Sequence, residues 1–310
     1  MNLIDNMRTV AKIPLSIAIV TWNRSRQLAK SIESCIACNL PENTEFIIID
    51  NASTDDTEKS VFSIFEKHDY HFYYERMANN LGAGEGRNVA FSECNGKYVY
   101  FMDDDAYIDA EKDPDFFIKG IYILDSHMDV MTLTTQIYDL AWKANRLPDY
   151  APKIDDSLCK CYMVCGGSHF LRRSFFEGTN PYFPNKYGYE ELKPSLRVAD
   201  AGYINAYSPN LRVIHNPAVN KWQFKETSNT GILINEVANQ FAIKTSVYPR
   251  LAYPICLLAY LIRQKRHLPH SELVRCNHVA RELKKTYYFG PRIRLRTIVS
   301  MYRDFGFKVF

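Results

Sequence analysis

The sequence predicts an α/β protein in which helices flank a mostly parallel, doubly wound central sheet. Short apolar runs alternate with segments of helical periodicity over the N-terminal third of the chain, which is typical of this architecture. Three of the runs end in polar side chains, at Thr21, Asp50 and Asp103. Because the carboxyl ends of parallel strands meet at one edge of a sheet, we expect a ligand crevice there.

Length and composition are those of a folded globular protein. The 310 residues, 46% hydrophobic and 24% charged, suffice for one large domain or for one and a half ordinary domains. The cysteines do not form a dense disulfide pattern, and Cys159, Cys161 and Cys165 lack paired C-x-x-C spacing and an evident fourth ligand. We therefore expect reduced cysteines and no zinc site. No signal peptide is evident, so we expect a cytoplasmic protein.

The first elements follow from periodicity and turn residues. Leu15–Thr21 is a predicted strand, and Ser25 is a predicted cap for the helix that follows. Glu45–Asp50 is continuously apolar up to its final carboxylate, as expected of a parallel strand covered on both faces. A second helix and a short strand at 71–74 complete this part of the chain.

A glycine-rich loop at 79–88 comes next and leads into a helix. It contains neither G-K-[ST] nor the G-x-G-x-x-G spacing directly after the first strand, which excludes a P-loop and a dinucleotide fingerprint. We expect Gly82, Gly84 and Gly86 to let the backbone approach a ligand, with Arg87 available for a charge contact.

The next strand ends in three consecutive aspartates. Because successive side chains of an extended backbone alternate, Asp103 and Asp105 are expected on one side and Asp104 on the other. Two carboxylates at a rigid strand end can hold Mg2+ or Mn2+ and leave coordination positions free for a phosphate-bearing ligand. A charged turn or a helix cap is the alternative from this stretch alone.

The middle of the chain is less regular. Asp113 and Pro114 predict the start of a further helix, and 139–159 is predicted to be a loop over the site. The stretch 162–172 resembles a strand broken by Gly166 and Gly167, where a substrate could approach the backbone.

Two later segments carry candidate functional side chains. A glycine turn precedes Glu190 and Glu191, and strand character resumes at 203–215 and ends in His215. Taken alone, the glutamates are typical of a solvated helix start, and the histidine is typical of a structural one.

The C-terminal part of the chain is basic. Residues 241–310 contain 14 Lys and Arg against 3 Asp and Glu, a net charge of +11. The apolar stretch 251–262 is interrupted by Pro254, is too short to span a bilayer, and is followed at once by clustered cations. It is either an element that lies on an anionic membrane surface or a buried helix beside solvated charges. No nucleic-acid-binding motif accompanies the charge, and we expect no nucleic-acid partner.

The order of the motifs resembles family 2 glycosyltransferases over residues 14–220. The motifs that carry the resemblance are, in order, SIAIVTWNR, FIIIDNASTDDT, NLGAGEGRN, FMDDDA, GYEELKPSLR and LRVIHN. It implies a GT-A fold, dependence on a nucleotide sugar, and inverting transfer with Mn2+ or Mg2+. Residues 1–220 would then form the catalytic domain, with a nucleotide-binding half at 14–110 and an acceptor-binding half at 111–220. Residues 221–310 would form a basic, helical C-terminal extension.

The resemblance also implies roles for individual residues. The expected D-x-D metal site consists of Asp103, Asp105 and His215. Glu191 is the expected catalytic base, with Glu190 orienting the acceptor, beside a substrate loop at Gly166 and Gly167. The expected nucleotide contacts are Thr21, Asn23, Arg24, Asp50 (to uracil or thymine), Arg87, Asp103 and Asp104.

Four departures from the family pattern bear on these roles. Val20 and Asn51 replace a frequent Pro and Asp, the acidic pair is Glu-Glu rather than Glu-Asp, and Pro194 is expected to interrupt the following helix. The sequence contains no Q-x-x-R-W motif, which argues against a processive synthase.

The function expected from these motifs is transfer of a sugar from a UDP- or dTDP-sugar to a glycan or lipid-linked acceptor in cell-surface polysaccharide synthesis. A nucleotidyltransferase that makes nucleotide sugars and a non-catalytic nucleotide- or glycan-binding relative are the alternatives. The basic extension is expected either to place the protein peripherally on the inner face of the membrane or to form a homodimer contact.

Overall fold

The computed structural model describes residues 13–146, 152–185, 188–217 and 230–310. Within them, one sheet of ten strands is flanked by helices. The strands are β1 (Leu15–Thr21), β2 (Glu45–Asp50), β3 (His71–Arg76), β4 (Tyr98–Asp103), β5 (Ala106–Ile108), β6 (Val130–Asp139), β7 (Ala144–Asn145), β8 (Cys159–Lys160), β9 (Ser168–Arg172) and β10 (Ile204–His215). The helices are α1 (Ser25–Ile36), α2 (Thr57–Phe65), α3 (Ala83–Glu93), α4 (Phe116–Ser126), α5 (Arg173–Phe176), α6 (Leu192–Ala201), α7 (Thr230–Val247), α8 (Tyr253–His267), α9 (Leu273–Thr286) and α10 (Leu295–Phe305).

The sheet order is β3-β2-β1-β4-β9-β6-β10-β5, with β7 beside β6 and β8 beside β10. The first four strands are parallel, as predicted, whereas β9 runs antiparallel to both of its neighbours. The register places Asp50 opposite Thr21 and Asp103 opposite Val20. The three polar strand ends therefore lie at one edge of the sheet, which confirms the predicted position of the crevice.

Apolar cores cover both faces of the parallel strands. Ile17 and Ile19 of β1 pack into one cluster and Ala18 into another, because successive side chains of a strand point to opposite faces. Every residue of β2 is buried. The α/β prediction made from continuous apolar runs is confirmed.

Helix starts differ from the sequence prediction. Ser25 is the first residue of α1 but does not cap it, because its hydroxyl is hydrogen-bonded to that of Ser60 at 2.6 Å. Helix α4 begins at Phe116, two residues beyond Pro114, and Asp115 occupies the N-cap position. Pro194 does not interrupt α6, because it lies in the first turn, where the missing backbone N–H costs no intrahelical hydrogen bond.

Strand predictions were least accurate in the second half of the sheet. The strand predicted at 162–172 is shortened to β9, which begins after Gly166 and Gly167. Strand β6 is not predicted from its sequence VMTLTTQIYD, in which polar and apolar residues follow no simple period. It is nonetheless buried over its first six residues because β9 and β10 pair with it on both sides.

The C-terminal extension is helical, as predicted, and packs against helix α6 of the preceding part of the chain. Leu192 and Leu196 of α6 share a buried cluster with apolar residues of α7, α8 and α10. Asp200 accepts hydrogen bonds from the backbone N–H of Arg294 and the hydroxyl of Thr297. The predicted boundary at 220 lies outside the described residues. None of the described helices is long and apolar enough to cross a membrane.

Leu196 tests whether this contact stabilises the fold. It is 2% exposed, so Leu196→Ala is expected to lower the free energy of unfolding by about 2 to 5 kcal/mol through lost burial and a residual cavity. Urea denaturation measures the change, and Leu251→Ala, at a side chain that is 76% exposed, is the matched control. Equal stability of the two variants would contradict the packing assignment.

Candidate active site

A cavity of about 1610 Å³ lies at the carboxyl ends of the central strands, where the crevice was predicted. Its walls come from the turn after β1, the acidic end of β4, the start of α3, the segment before β9, the turn before α6, and α7. The side chains that carry its charge include Arg24, Arg87, Asp103, Asp104, Asp105, Arg146, Glu190, Glu191, His215 and Glu236. The predicted nucleotide-binding and acceptor-binding halves therefore contribute to one cavity.

Arg87 joins those two halves. Its guanidinium donates to Asp103 Oδ1 at 3.0 Å on one side, and to Glu190 Oε1 at 2.8 Å and Glu191 Oε1 at 3.3 Å on the other. The Gly166 carbonyl accepts a fourth hydrogen bond, at 3.2 Å. We call Arg87, Asp103, Glu190 and Glu191 the Arg87 cluster. Arg87 is 7% exposed, so its charge is compensated by these carboxylates rather than by water.

Glycines bring the cluster together. A Cβ at Gly166 would collide with Glu191 Oε1, and a Cβ at Gly167 would lie 3.1 Å from Asp103 Oδ2. Both glycines therefore have a packing role, and approach of a substrate to this backbone stays a prediction. In α3, Gly84 and Gly86 adjoin the Phe183 carbonyl and Val20 rather than the cavity, so their close approach is to protein atoms.

Asp104, the middle aspartate, connects the turn after β1 to the acidic end of β4. Its carboxylate accepts hydrogen bonds from Thr21 Oγ1 at 2.8 Å and Arg24 Nη1 at 2.7 Å. Arg24 also donates to Asp105 Oδ2 at 2.7 Å, and Ser31 beneath donates to the Asp104 carbonyl at 3.0 Å. Burial raises the pKa of Asp104 to about 6, although Arg24 opposes the change.

The predicted metal ligands are brought together. One ligand atom from each of Asp103, Asp105 and His215 lies within 4.8 Å of the other two. The antiparallel pairing of β10 with β5 positions the histidine, since His215 lies opposite Ala106, the residue after Asp105. Two carboxylates and an imidazole form a donor set that suits Mn2+, and the carboxylates also suit Mg2+.

Asp139 and Arg146 surround His215 and were not found from the sequence. Asp139 Oδ2 lies 3.0 Å from His215 Nδ1 and accepts from Arg146 Nη2 at 2.8 Å, while His215 Nε2 lies 3.1 Å from Asp105 Oδ1. Burial opposes ionisation of Asp139, but hydrogen bonds from Arg146 and the Trp142 backbone outweigh it and hold the pKa below its usual value. Arg146 Nη2 also lies 2.7 Å from His215 Nδ1 and 3.1 Å from Nε2. In the tautomer in which Asp139 accepts the Nδ1 proton, Nε2 keeps a lone pair that can bind a cation.

The predicted loop at 139–159 contributes to the site through its described part. Trp142 and Arg146 line the cavity, and the Arg146 guanidinium lies 5.2 Å from the Trp142 ring. The only sequence signal for Arg146 was its position after a predicted loop start. That signal does not distinguish it from any other loop cation.

The predicted nucleotide contacts divide into two groups. Among the described residues, Thr21, Arg24, Arg87, Asp103 and Asp104 line the cavity, but Asp50 and Asn23 do not. Asp50 accepts from the Ser53 N–H and from the Tyr74 hydroxyl, each at 2.8 Å. Asn23 Oδ1 accepts from the Thr54 N–H at 2.7 Å. Contact of Asp50 with a nucleobase stays a prediction.

Asn51, which the sequence analysis noted only as a departure, lines the cavity instead. Its Nδ2 donates to the Gly82 carbonyl at 3.1 Å, and its buried Oδ1 has no hydrogen-bond partner within the described protein. An unpaired buried amide oxygen is costly unless a ligand or water donates to it.

Glu190 and Glu191 have different environments. Burial, with a further contribution from Glu190, raises the pKa of Glu191 to about 8, and Arg87 opposes the rise. Glu190 accepts from Arg87 through Oε1, whereas its buried Oε2 has no partner within the described part of the chain. The pair therefore offers one carboxyl that can exchange a proton near neutral pH and one oxygen that can accept a hydrogen bond from a ligand.

Comparison with known proteins places this geometry in context. Residues 16–203 match the family described as Glycosyl transferase family 2. The poly(ribitol-phosphate) β-N-acetylglucosaminyltransferase TarS of Staphylococcus aureus is 25% identical over 181 residues, which are 57% of this chain and 30% of TarS. The chondroitin synthase of Escherichia coli is 23% identical over 256 residues, 78% of this chain and 35% of that protein. The chain thus spans about a third of the length of these curated relatives.

Solved structures have the same fold. The structure of TarS residues 1–349 with UDP-GlcNAc aligns with a TM-score of 0.62 at 15% identity and covers 86% of this chain and 79% of that chain. A mannosyltransferase of Pyrobaculum calidifontis, in complex with GDP-Man and Mn2+, aligns with a TM-score of 0.57 at 15% identity and covers 97% and 86%. These alignments confirm the GT-A fold predicted from the sequence.

The pKa of Glu191 predicts how stability depends on pH. Because the folded-state pKa of about 8 exceeds the ordinary value of 4.5, the folded protein binds this proton more tightly, and stability falls as pH rises between these values. Glu191→Gln removes this loss. Relative to the unsubstituted protein, it is expected to gain at least about 1 kcal/mol of unfolding free energy between pH 5 and pH 8.

Urea denaturation with chelator at several pH values measures this difference. Glu177→Gln, at a side chain that is 63% exposed, is the matched control and is expected to show no such gain. A constant difference between Glu191→Gln and the unsubstituted protein across the pH range would show that Glu191 titrates normally.

Proposed function

The chain belongs to glycosyl transferase family 2, and we propose that it is an inverting, metal-dependent enzyme that transfers a sugar from a UDP- or dTDP-sugar. Family membership makes it a glycosyltransferase, which removes the nucleotidyltransferase alternative. The observation that carries the finer proposal is the Arg87 cluster, which holds Glu190 and Glu191 in the same cavity as the Asp103, Asp105 and His215 group.

The proposed acceptor is a hydroxyl group of a glycan or lipid-linked glycan in cell-surface polysaccharide synthesis. The two curated relatives support this class, since one is a poly(ribitol-phosphate) β-N-acetylglucosaminyltransferase and the other is a chondroitin synthase. The structures with UDP-GlcNAc and with GDP-Man support a nucleotide-sugar donor. A pyrimidine nucleotide is proposed from the TWNR and FIIID motifs.

In the proposed reaction, the acceptor oxygen attacks the anomeric carbon from the face opposite the nucleoside diphosphate. The bond between that carbon and the diphosphate oxygen breaks, and the acceptor proton passes to a protein carboxylate. Asp103, Asp105 and His215 would hold the cation, and Asp139 would orient His215. A bound Mn2+ or Mg2+ would supply Lewis-acid stabilisation of the charge that develops on the departing diphosphate.

Glu191 is the proposed base. Its pKa of about 8 makes it a stronger proton acceptor than an ordinary glutamate, and Arg87 keeps its carboxylate close to Asp103. The unpaired Oε2 of Glu190 is the proposed acceptor for a second substrate hydroxyl, which would orient the glycan. Arg87 itself balances the negative charge of the base and a metal ligand, and so fixes the distance between them.

The metal site can be tested without turnover. Asp105→Ala is expected to abolish measurable Mn2+ binding in titration calorimetry, and Asp139→Asn is expected to weaken it roughly 10- to 100-fold by misorienting His215. Donor hydrolysis should require Mn2+ or Mg2+ and should fall in parallel with affinity. Asp156→Asn, at a fully exposed carboxylate, is the control. Equal hydrolysis by the unsubstituted protein and Asp105→Ala, with and without Mn2+, would exclude the metal role.

The assignment of the base predicts a separation of binding from catalysis. Glu191→Gln is expected to keep its affinity for the nucleotide, measured by calorimetry with UDP. It is expected to lower the rate of transfer by at least about 100-fold. The rate of the unsubstituted enzyme should rise with pH up to about 8, because the base must be ionised. Glu190→Gln should mainly raise the acceptor KM. A full loss of transfer in Glu190→Gln with full activity in Glu191→Gln would assign the base to Glu190.

A further inference from the structure

The outer surface of α8 is an apolar face that no other described part of the chain covers. Cys256, Ala259 and Tyr260 turn inward and are at most 4% exposed, whereas Leu258 is 53% exposed and Leu261 is 51% exposed. We define the α8 face as Leu251, Ile255, Leu258, Leu261 and Ile262, each of which is at least 38% exposed. Ile255, Leu258 and Ile262 are three and four residues apart, so they form one stripe along the helix.

The stripe continues directly into cations. Lys265 and Arg266 follow Leu261 and Ile262 by four residues and therefore extend the same side of the helix by one turn. Both are exposed, as are His267 at the end of α8 and Arg250 before its start. No Asp or Glu occurs between Arg250 and His267. The face thus has an apolar centre, basic ends and no acidic residue.

We propose that the α8 face docks on the surface of an anionic phospholipid bilayer. The apolar side chains would enter the boundary between headgroups and acyl chains, and the flanking cations would contact lipid phosphates. The 15-residue helix lies in the plane of such a surface and does not need to cross it, in agreement with the absence of a spanning helix among the described residues. This inference concerns attachment and does not depend on the proposed transfer reaction.

Charge favours a bilayer over a second copy of the chain as the occupant. A symmetric contact would bring two identical basic surfaces together, and residues 241–310 carry a net charge of +11 in each copy. An anionic leaflet instead attracts every cation near it, by about 1 kcal/mol each.

Vesicle flotation of the full chain tests the proposal, without donor or metal. The vesicles contain phosphatidylcholine alone or with phosphatidylglycerol, at low and high salt. One variant, Lys265→Glu with Arg266→Glu, is expected to reduce partitioning onto anionic vesicles by about 25-fold or more, since each lost cation accounts for about fivefold. Leu258→Gln with Ile262→Gln is expected to reduce it by at least about tenfold.

Matched controls lie on other surfaces. Lys59→Glu with Lys67→Glu reverses two exposed cations near α2, and Tyr122→Gln removes an aromatic ring that is 71% exposed on α4. Both controls should bind vesicles like the unsubstituted chain. Circular dichroism and thermal unfolding verify the fold of every variant, and either α8 variant alone is sufficient for the test. Hydrolysis of the donor in solution, without vesicles, should be unchanged in both α8 variants.

Three results would overturn the proposal. The first is recovery of the unsubstituted chain free of anionic vesicles at low salt, and the second is flotation of the folded α8 variants to the same extent as the unsubstituted chain. Light scattering could also show a dimer that Leu258→Gln with Ile262→Gln converts to a monomer, without any vesicle binding, in which case the face is a contact between copies. Binding to anionic vesicles that falls with salt and with both α8 substitutions supports bilayer docking.

Discussion

The buried guanidinium of Arg87 is the interaction on which the site depends. It is the only cation within hydrogen-bond reach of Asp103, Glu190 and Glu191 in the described structure, and it joins Asp103 to a glutamate pair almost ninety residues further along the chain. One positive charge cannot neutralise three carboxylates, of which Glu190 and Glu191 are largely buried and Asp103 is partly exposed. The excess negative charge can be reduced in two ways, by protonation of Glu191 and by binding of a cation at Asp103. The proposed reaction would use the cation at Asp103 to stabilise the departing diphosphate, and it would need Glu191 to lose its proton before it acts as the base.

The second organising contact is the pairing of β10 with β6 and β5. It brings His215 to Asp105 on one side and to Asp139 on the other, so a single histidine joins the acidic end of β4 to the end of β6. Arg24 donates to Asp105, and Arg146 donates to Asp139. Among the described residues, Asp103 and Asp105 share a possible ligand position with His215, whereas Asp104 is hydrogen-bonded to Thr21 and Arg24.

The sequence was sufficient for features with a local signal. The buried strands, the common edge at Thr21, Asp50 and Asp103, and the metal-spaced aspartates follow from apolar runs that end in polar groups. Long-range contacts were predicted where the family resemblance implied them, as for His215 beside Asp103 and Asp105, but the surroundings of His215 were not. Asp139 ends β6, a buried strand whose threonines make it look polar in the sequence. No local sequence pattern distinguishes Arg146. Ser25 failed as a cap for a similar reason, since a tertiary hydrogen bond to Ser60 replaced the local one.

The C-terminal helices contribute both to the cavity wall and to the exposed surface of the protein. Helix α7 provides Leu233 and Glu236 to the cavity wall, and its other residues pack against α8 through stacked rings of Phe241 and Tyr260, 4.1 Å apart. The α8 face lies on the far side of that helix pair. A helix that buries one face for stability would ordinarily place polar residues on the other, because exposed leucines gain nothing in water. The exposed leucines of α8 fit a second, less polar environment, and the α7–α8 pair lies between that environment and the cavity.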